Sequence, residues 1–428
     1  MKVILRKFLR ALGFPARLLI VWVAFFAFLW LSRGAGGGYA AFAVSVVVAC
    51  VVWWRWSRDR SRLASAMLGI AMVLALAPLG YLLIPLAASA LTPLPTDPAV
   101  QIWPTGSGRA VAVYRYAPAA VVPDKNLALV FVHGGPGGYV RNFDRDFFTT
   151  FTNDGFEVVL YDQFGAGRSP LGDARNYSHE NNISDLLAVL TRVNKPTVLV
   201  GQSYGATLVT SALANPEVRK RVSHVVLSEP GKVPGATFSF SPSMADKSTR
   251  APDAGEPPSA TVVAKLTAPR AILAALLPAG HHYAPQEEII NHYTPEVQRA
   301  MVKNSFCKGD GQMLEGFQPT RFNLLANSTV GRQSRDSSTP NLQNLAAPVL
   351  LLLGECSYIP RGRAMEYFGI YRIARSHLIP GVGHITWGNV NGQNLTRDAI
   401  RRFVDNLPGP LPNEPTPSTR RVFVESGR

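Results

Sequence analysis

Leu18 to Leu31 is unbroken apolar sequence, and after Ser32 and Arg33 a second uncharged run extends from Gly34 to Trp54. A third runs from Leu63 to Thr96. A helix of ~20 apolar residues crosses a ~30 Å hydrocarbon core, so the pattern predicts about three transmembrane helices within residues 1–96. Beyond residue 96 the period changes. "QIWPTGSGRAVAVYRYAP" predicts a hairpin, and "LALVFVH", "FEVVLYD", "PTVLVGQ", "SHVVLSE", "APVLLLLGE" and "SHLIPGVGH" predict short strands. Most are rich in Val and Leu, as strands buried on both faces are. Between them "ISDLLAVLTRVN", "GATLVTSALANPEV" and "TRDAIRRFVDNL" place apolar residues at helical spacing. Alternating strands and helices read as an α/β fold, a mostly parallel sheet flanked by helices.

One stretch breaks the alternation. Gly231 to Asn341 is rich in Pro, Ser, Ala and charge, with a predicted helix near "PQEEIINHYTPEVQRAMVKN". It is too long for an ordinary loop and reads as a helical lid over the carboxyl edge of the sheet. The proline-rich tail, residues 409–428, is expected to be disordered. The organisation expected is a membrane anchor over 1–96, an α/β domain over 97–408 with the lid at 231–341, and the tail.

Charge gives the anchor a direction. Lys2, Arg6, Lys7, Arg10 and Arg17 precede the first run, Arg33 stands alone after it, and Arg55, Arg58, Arg60 and Arg62 separate the second from the third. Basic flanks stay cytoplasmic, which predicts a multi-pass cell-membrane protein with its α/β domain on the extracytoplasmic side. A cleaved signal peptide is the alternative for the first run, and it leaves the same side for the domain. Residues 1–62 hold +9 of the +15 formal charge. The basicity is therefore topogenic; no basic stripe interleaved with aromatics follows, which argues against nucleic acid as a partner. The expected partners are membrane lipid, through the N-terminal helices, and a small-molecule or short-peptide substrate. Cys307 and Cys356 fall in the extracytoplasmic part, where either a disulfide or two separate thiols is open.

The chemistry concentrates in a few short stretches. "VLVGQSYGATL" puts Ser203 in G-x-S-x-G between a strand and a helix, the setting of a nucleophile elbow in which Gly201 and Gly205 allow close approach. Upstream, "VFVHGGPGGYVRNF" ends a strand in a glycine turn that no bulky side chain fits. Such a turn suits an oxyanion hole, with donors assigned to the backbone N–H groups of Gly135 and Tyr204. No phosphate-binding glycine pattern and no metal-ligand spacing occurs, so no cofactor and no metal is expected. A serine needs a base, and His384 in "IPGVGHITWGN" follows the last strand and precedes the last helix. His133 is expected to brace its loop, and His179, His224, His281, His282, His292 and His377 to lie at the surface.

"HGGPGG", "DQFGAGRS", "GQSYGATL" and "GVGH", in that order, resemble an α/β-hydrolase of the proline iminopeptidase-like group over about residues 100–408. The resemblance implies a Ser-His-acid hydrolase that removes an amino-terminal residue from short peptides. Three departures qualify it. Ser357 in "LLLGECSYIP" stands where the family carries its acid, which leaves Glu229 at the end of the preceding strand, Glu355, or no carboxylate. Phe164 replaces the usual arginine of the "DQRG" loop, while Asp162, Arg168 and Ser169 remain to tie that loop. The lid has no tryptophan, and Glu287, Glu288 and Glu296 are its available partners for a substrate ammonium. Two functions stay open: a membrane-anchored serine hydrolase of amides or esters, using Ser203, His384 and Glu229, or a non-catalytic binding module on the same fold. Epoxide and haloalkane chemistry is disfavoured, since it needs an aspartate at position 203.

Overall fold

The computed structural model describes residues 2–414 except 35, 59, 235–254, 256–257, 279 and 311. The chain divides into two compact units, residues 1–91 with 266–292, and residues 92–265 with 293–428.

The first unit is helical. α1 (Lys2–Leu31), α2 (Gly37–Ser57) and α3 (Arg62–Tyr81) pack together. α2 turns Ala41, Ser45 and Ala49 inward and α3 turns Leu68, Met72 and Leu79 inward. Large apolar residues face out instead: Val47, Val51 and Trp54 on α2, and Met67, Ile70, Val73 and Leu74 on α3. The inward residues of α2 are small, which allows the larger side chains of its neighbours to pack closely against it. Among the described residues α2 and α3 are long and apolar enough to cross a membrane, whereas the apolar part of α1, Pro15–Leu31, is shorter. The helix within the third uncharged run covers 20 residues and ends well before Thr96. α3 stops at Tyr81, in a stretch where Pro78, Pro85, Pro93 and Pro95 withhold the backbone donors a longer helix needs.

A piece of the predicted lid belongs to this unit. Arg270 donates from Nε to Glu288 Oε1 (2.7 Å) and from Nη2 to Glu288 Oε2 (2.9 Å). Its Nη1 reaches Leu82 O at 2.7 Å, and Leu86 N donates to Glu288 Oε1 at 2.9 Å. The buried pair thus satisfies backbone groups just after α3, where the helix itself leaves carbonyls unpaired.

The second unit is an eight-stranded sheet in the order β1-β2-β4-β3-β5-β6-β7-β8. The strands are β1 (Val100–Gly106), β2 (Arg109–Tyr116), β3 (Ala128–Val132), β4 (Glu157–Asp162), β5 (Thr197–Gln202), β6 (Val222–Ser228), β7 (Val349–Gly354) and β8 (Ile373–Ile379). β1 and β2 form the predicted hairpin, β2 runs antiparallel to β4, and all other neighbours are parallel. Every residue of β3, β4, β5 and β7 is buried, which explains their unbroken Val and Leu runs.

Connecting helices are α4 (Asn142–Thr149), α5 (His179–Val193), α6 (Tyr204–Ala212) and α7 (Pro216–Arg219) before the insertion. The insertion carries α8 (Ala260–Leu266), α9 (Pro269–Leu276), α10 (Gln286–Tyr293), α11 (Glu296–Lys303) and α12 (Leu324–Asp336); α13 (Gly362–Ile370) and α14 (Val390–Val404) follow it. The one helix predicted around residues 285–304 is two, α10 and α11, separated at Thr294–Pro295 because proline cannot donate into the preceding turn.

The tail is only partly outside the described residues. Residues 415–428 lie beyond them, but Glu414 N donates to Ser376 O at 2.8 Å and Ser376 N to Asn413 Oδ1 at 3.2 Å. Residues 413–414 therefore line the free edge of β8, contrary to the expectation of disorder from residue 409.

Candidate active site

In parallel sheets, sites form beyond the carboxyl ends of the strands, and the candidate residues Ser203, Glu229 and His384 follow the ends of β5, β6 and β8. Ser203 sits between β5 and α6 with φ 56° and ψ −123°, a conformation L-residues rarely adopt. A Cβ on Gly205 would stand 2.0 Å from Val132 O, and one on Gly201 2.7 Å from Ala206 Cα. The two glycines are thus what lets β5 turn this sharply into α6. Strain of about 1–3 kcal/mol at such a residue is held by its surroundings, here the Ser203 N–H bonded to Ser228 O at 3.0 Å.

The glycine turn after β3 lies against this elbow. A Cβ on Gly134 would fall 2.7 Å from Ser203 Cβ and 2.7 Å from Gln202 Oε1. Gly135 (φ 133°) and Gly137 (φ 72°) occupy positive-φ conformations that favour glycine. The turn is clasped by the insertion: Asn323 N donates to Gly137 O at 2.9 Å and Asn327 Nδ2 to Pro136 O at 2.6 Å. Tyr204 N–H heads α6, among the donors a helix cannot pair internally.

His384 stands in the loop between β8 and α14 and is buried. Gln202 Nε2 donates to its carbonyl at 3.2 Å, which ties the histidine loop to the residue before Ser203. Its Nδ1 faces Glu229 Oε2 at 3.4 Å. Glu229, itself at φ 45° and buried at the end of β6, also accepts from Gly354 N through Oε1 and from the Ser357 hydroxyl through Oε2. Of the candidate carboxylates, the fold brings Glu229 to the histidine. Glu355 is turned to the Gly381 N–H at 2.8 Å and is exposed.

Behind the elbow runs a buried polar chain that the sequence reading did not anticipate. His179 Nδ1 meets Tyr204 Oη at 2.9 Å and its Nε2 meets Ser211 Oγ at 2.8 Å. Asn182 Nδ2 donates to Tyr204 Oη (3.2 Å), and Gln163 Nε2 donates to His133 O (2.9 Å). His133 Nε2 accepts from Gln163 N at 3.0 Å, so its proton is on Nδ1, donating to Gly134 O at 2.7 Å. Burial holds both His133 and His179 down at about 4, so both are neutral braces. His133 braces its loop as expected. His179 and His377 are not at the surface; both are buried, the latter with Nδ1 donating to Pro412 O at 3.0 Å. The signal for His179 was its place in the first turn of α5, three residues before Asn182, on one helical face.

Other expectations divide. Asp162 accepts from Val140 N (2.6 Å) and Arg168 N (2.8 Å), and Ser169 Oγ donates to Asp162 O at 2.6 Å. These three residues do tie their loop. Phe164 packs on Tyr177 with ring centroids 5.4 Å apart. The lid glutamates are mostly engaged: Glu288 by Arg270 and Glu296 by Lys265 (2.5 Å). Tyr358, 4.6 Å from the His384 ring between centroids, was not foreseen. Cys307 and Cys356 are joined as a disulfide, with Cα atoms 5.5 Å apart.

A family model described as the alpha/beta hydrolase family matches residues 129–395. A proline iminopeptidase of Saccharolobus solfataricus is 37% identical over 93 residues, 20% of this chain and 28% of that protein. One from Lactiplantibacillus plantarum is 35% identical over 82 residues, 19% and 28% respectively. The alignment therefore spans about 28% of the length of either relative. Similar solved structures include a proline iminopeptidase from Mycobacterium smegmatis, with 18% identity, coverage of 72% of this chain and 98% of that one, and a TM-score of 0.45. An esterase from Exiguobacterium antarcticum shows 14% identity, 71% and 98% coverage, and a TM-score of 0.46.

Proposed function

This chain belongs to the alpha/beta hydrolase family, and on that premise we propose that it is a membrane-anchored serine hydrolase acting on an amide or ester bond of a small substrate. The observation that carries the reading is Glu229 Oε2 at 3.4 Å from His384 Nδ1, at the same sheet edge as the strained Ser203. A carboxylate there keeps the imidazole proton on Nδ1 and leaves Nε2 as the base. Ser203 Oγ attacks the carbonyl carbon as its proton passes to His384. The N–H groups of Gly135 and Tyr204 receive the oxyanion, and His384 then protonates the leaving amine or alcohol. Water repeats the sequence on the acyl-enzyme and frees the acid. Asn323 and Asn327 of the insertion clasp the glycine turn that carries the Gly135 donor and so hold it in place.

The iminopeptidase relatives suggest an amino-terminal peptide bond. Of the lid glutamates, Glu288 is held in a buried pair with Arg270, which removes it as a partner for a substrate ammonium and leaves Glu287 and the surface-exposed Glu296 for that role. Turnover of p-nitrophenyl acetate and of prolyl and alanyl amide dyes by the detergent-purified chain separates ester from amino-terminal amide substrates. Ser203→Ala is expected to abolish whichever rate is found; equal turnover by wild type and Ser203→Ala would turn the reading toward a binding module.

Anchoring is proposed on the outward apolar faces of α2 and α3 and on the basic residues flanking them. An extracytoplasmic second unit suits the Cys307–Cys356 disulfide, since such bonds persist in oxidising compartments.

A further inference from the structure

The position that the family resemblance assigns to the acid is Ser357, and its hydroxyl is bonded to the carboxylate that stands in for that acid. Ser357 is buried, and its Oγ accepts from Ile359 N at 3.1 Å. A hydroxyl has one proton, and with Oγ already accepting, the proton is directed to Glu229 Oε2, the oxygen that faces His384. Gly354 N holds the other oxygen, so β7 and the loop after it grip both ends of the carboxylate. The loop itself is fixed: Cys356 N donates to Val382 O at 3.0 Å, Cys356 is bonded to Cys307, and Arg361 Nη2 donates to Glu355 O at 3.0 Å.

A glutamate reaching from β6 has three side-chain torsions and needs such a grip. Left free, it would lose time in rotamers that do not face the imidazole. We propose that Ser357 is the positioning residue of the acid, a donor in the loop after β7 that aims a carboxylate supplied from the end of β6. The inference rests on the Ser203-His384-Glu229 reading above. It also has a geometric corollary. An aspartate at 357 carries its carboxylate oxygens one bond beyond the present Oγ, into the space Glu229 Oε2 now fills, so with residue 229 cut back to alanine it can take over the contact with His384 Nδ1.

The test is the rate at which a fluorophosphonate acylates Ser203 in the full-length chain, resolved into maximal rate and half-saturating concentration across pH, with thermal melting as the control for folding. A hydrogen bond to a charged group supports Ser357→Ala losing about 10- to 100-fold in maximal rate with the half-saturating concentration nearly constant. Ser357→Thr, which keeps the hydroxyl, should recover most of that loss. Glu229→Gln should be slowed further, and Glu229→Ala with Ser357→Asp should regain at least about tenfold over Glu229→Ala alone. The proposal is overturned if Ser357→Ala matches wild type while Glu229→Gln is slow, or if Ser357→Thr is as impaired as Ser357→Ala. Should wild type and Ser203→Ala label alike, or Glu229→Gln react at the wild-type rate, the underlying catalytic reading fails instead.

Discussion

Gly205 is one of two described glycines, with Gly354, at which a Cβ would stand 2.0 Å from a backbone carbonyl. Its missing Cβ keeps 2.0 Å from Val132 O, so Gly205→Ala is expected to destabilise the second unit by about 3 kcal/mol or more, measured by denaturant unfolding. His179 gives a pH-dependent counterpart. Its folded value of about 4 lies below its ordinary 6.5, so the unfolded chain binds the extra proton and stability falls as pH drops from about 6.5 towards 4. Asp162, pushed up to about 7 by burial, contributes with the opposite sign and is common to wild type and variant. The melting temperature of His179→Gln should therefore decline less than that of wild type between pH 7 and pH 5; identical slopes would contradict a neutral buried imidazole. At this scale Ser203, His384 and the glycines were legible, because each sits inside a short pattern tied to a strand end. Glu229 was legible only as one of three possibilities, since which carboxylate reaches a histidine 155 residues away depends on register between β6 and β7. Ser357 was not recognised as a partner, because its role comes from a hydrogen bond across elements, and His179 was missed although its i, i+3 place before Asn182 on α5 marked the face that buries it.

Among elements, the strands were the most readable. Burial on both faces forces continuous Val and Leu, and β3 to β8 all fall within the runs that predicted them or overlap them. The insertion was the least readable, because its helices are short and draw their faces from packing partners that the local sequence does not name. Pro295 shows the difference, splitting into α10 and α11 what apolar spacing alone joins. One element of the insertion and one covalent tie from it bear on the site. α12 begins with Asn323, whose side chain accepts from Ala326 N (3.0 Å) and donates to Gly165 O (2.8 Å). Losing a cap of this kind costs about 1–2 kcal/mol, so Asn323→Ala should lower the melting temperature and, by loosening the glycine turn, slow turnover as well. The Cys307–Cys356 bond closes a separation of 49 residues, for which chain entropy gives about 4 kcal/mol. Cys307→Ser, or reduction by dithiothreitol, is expected to lower the melting temperature; an unchanged melt would mean that the bond does not form in the protein.

At the scale of the whole molecule, the chain combines a helical unit with outward-facing apolar side chains and an α/β unit whose candidate site lies at the carboxyl edge of its sheet. The insertion between β6 and β7 contributes residues 266–292 to the helical unit, where Arg270 and Glu288 are a buried, mutually satisfied pair. Removing one partner of such a pair costs about 3–5 kcal/mol, so Glu288→Ala should unfold the helical unit at lower denaturant than wild type, with Glu288→Ala/Arg270→Met partly restoring it. The catalytic claim depends on a different convergence, that of β5, β6 and the loop after β8. Its most direct test is the steady-state kinetics of Glu229→Gln on the best substrate found, because this change keeps the shape of the side chain and removes only the charge facing His384. A fall in kcat of about 10^3- to 10^4-fold with KM nearly constant is the predicted result, and a kcat equal to that of wild type would contradict it.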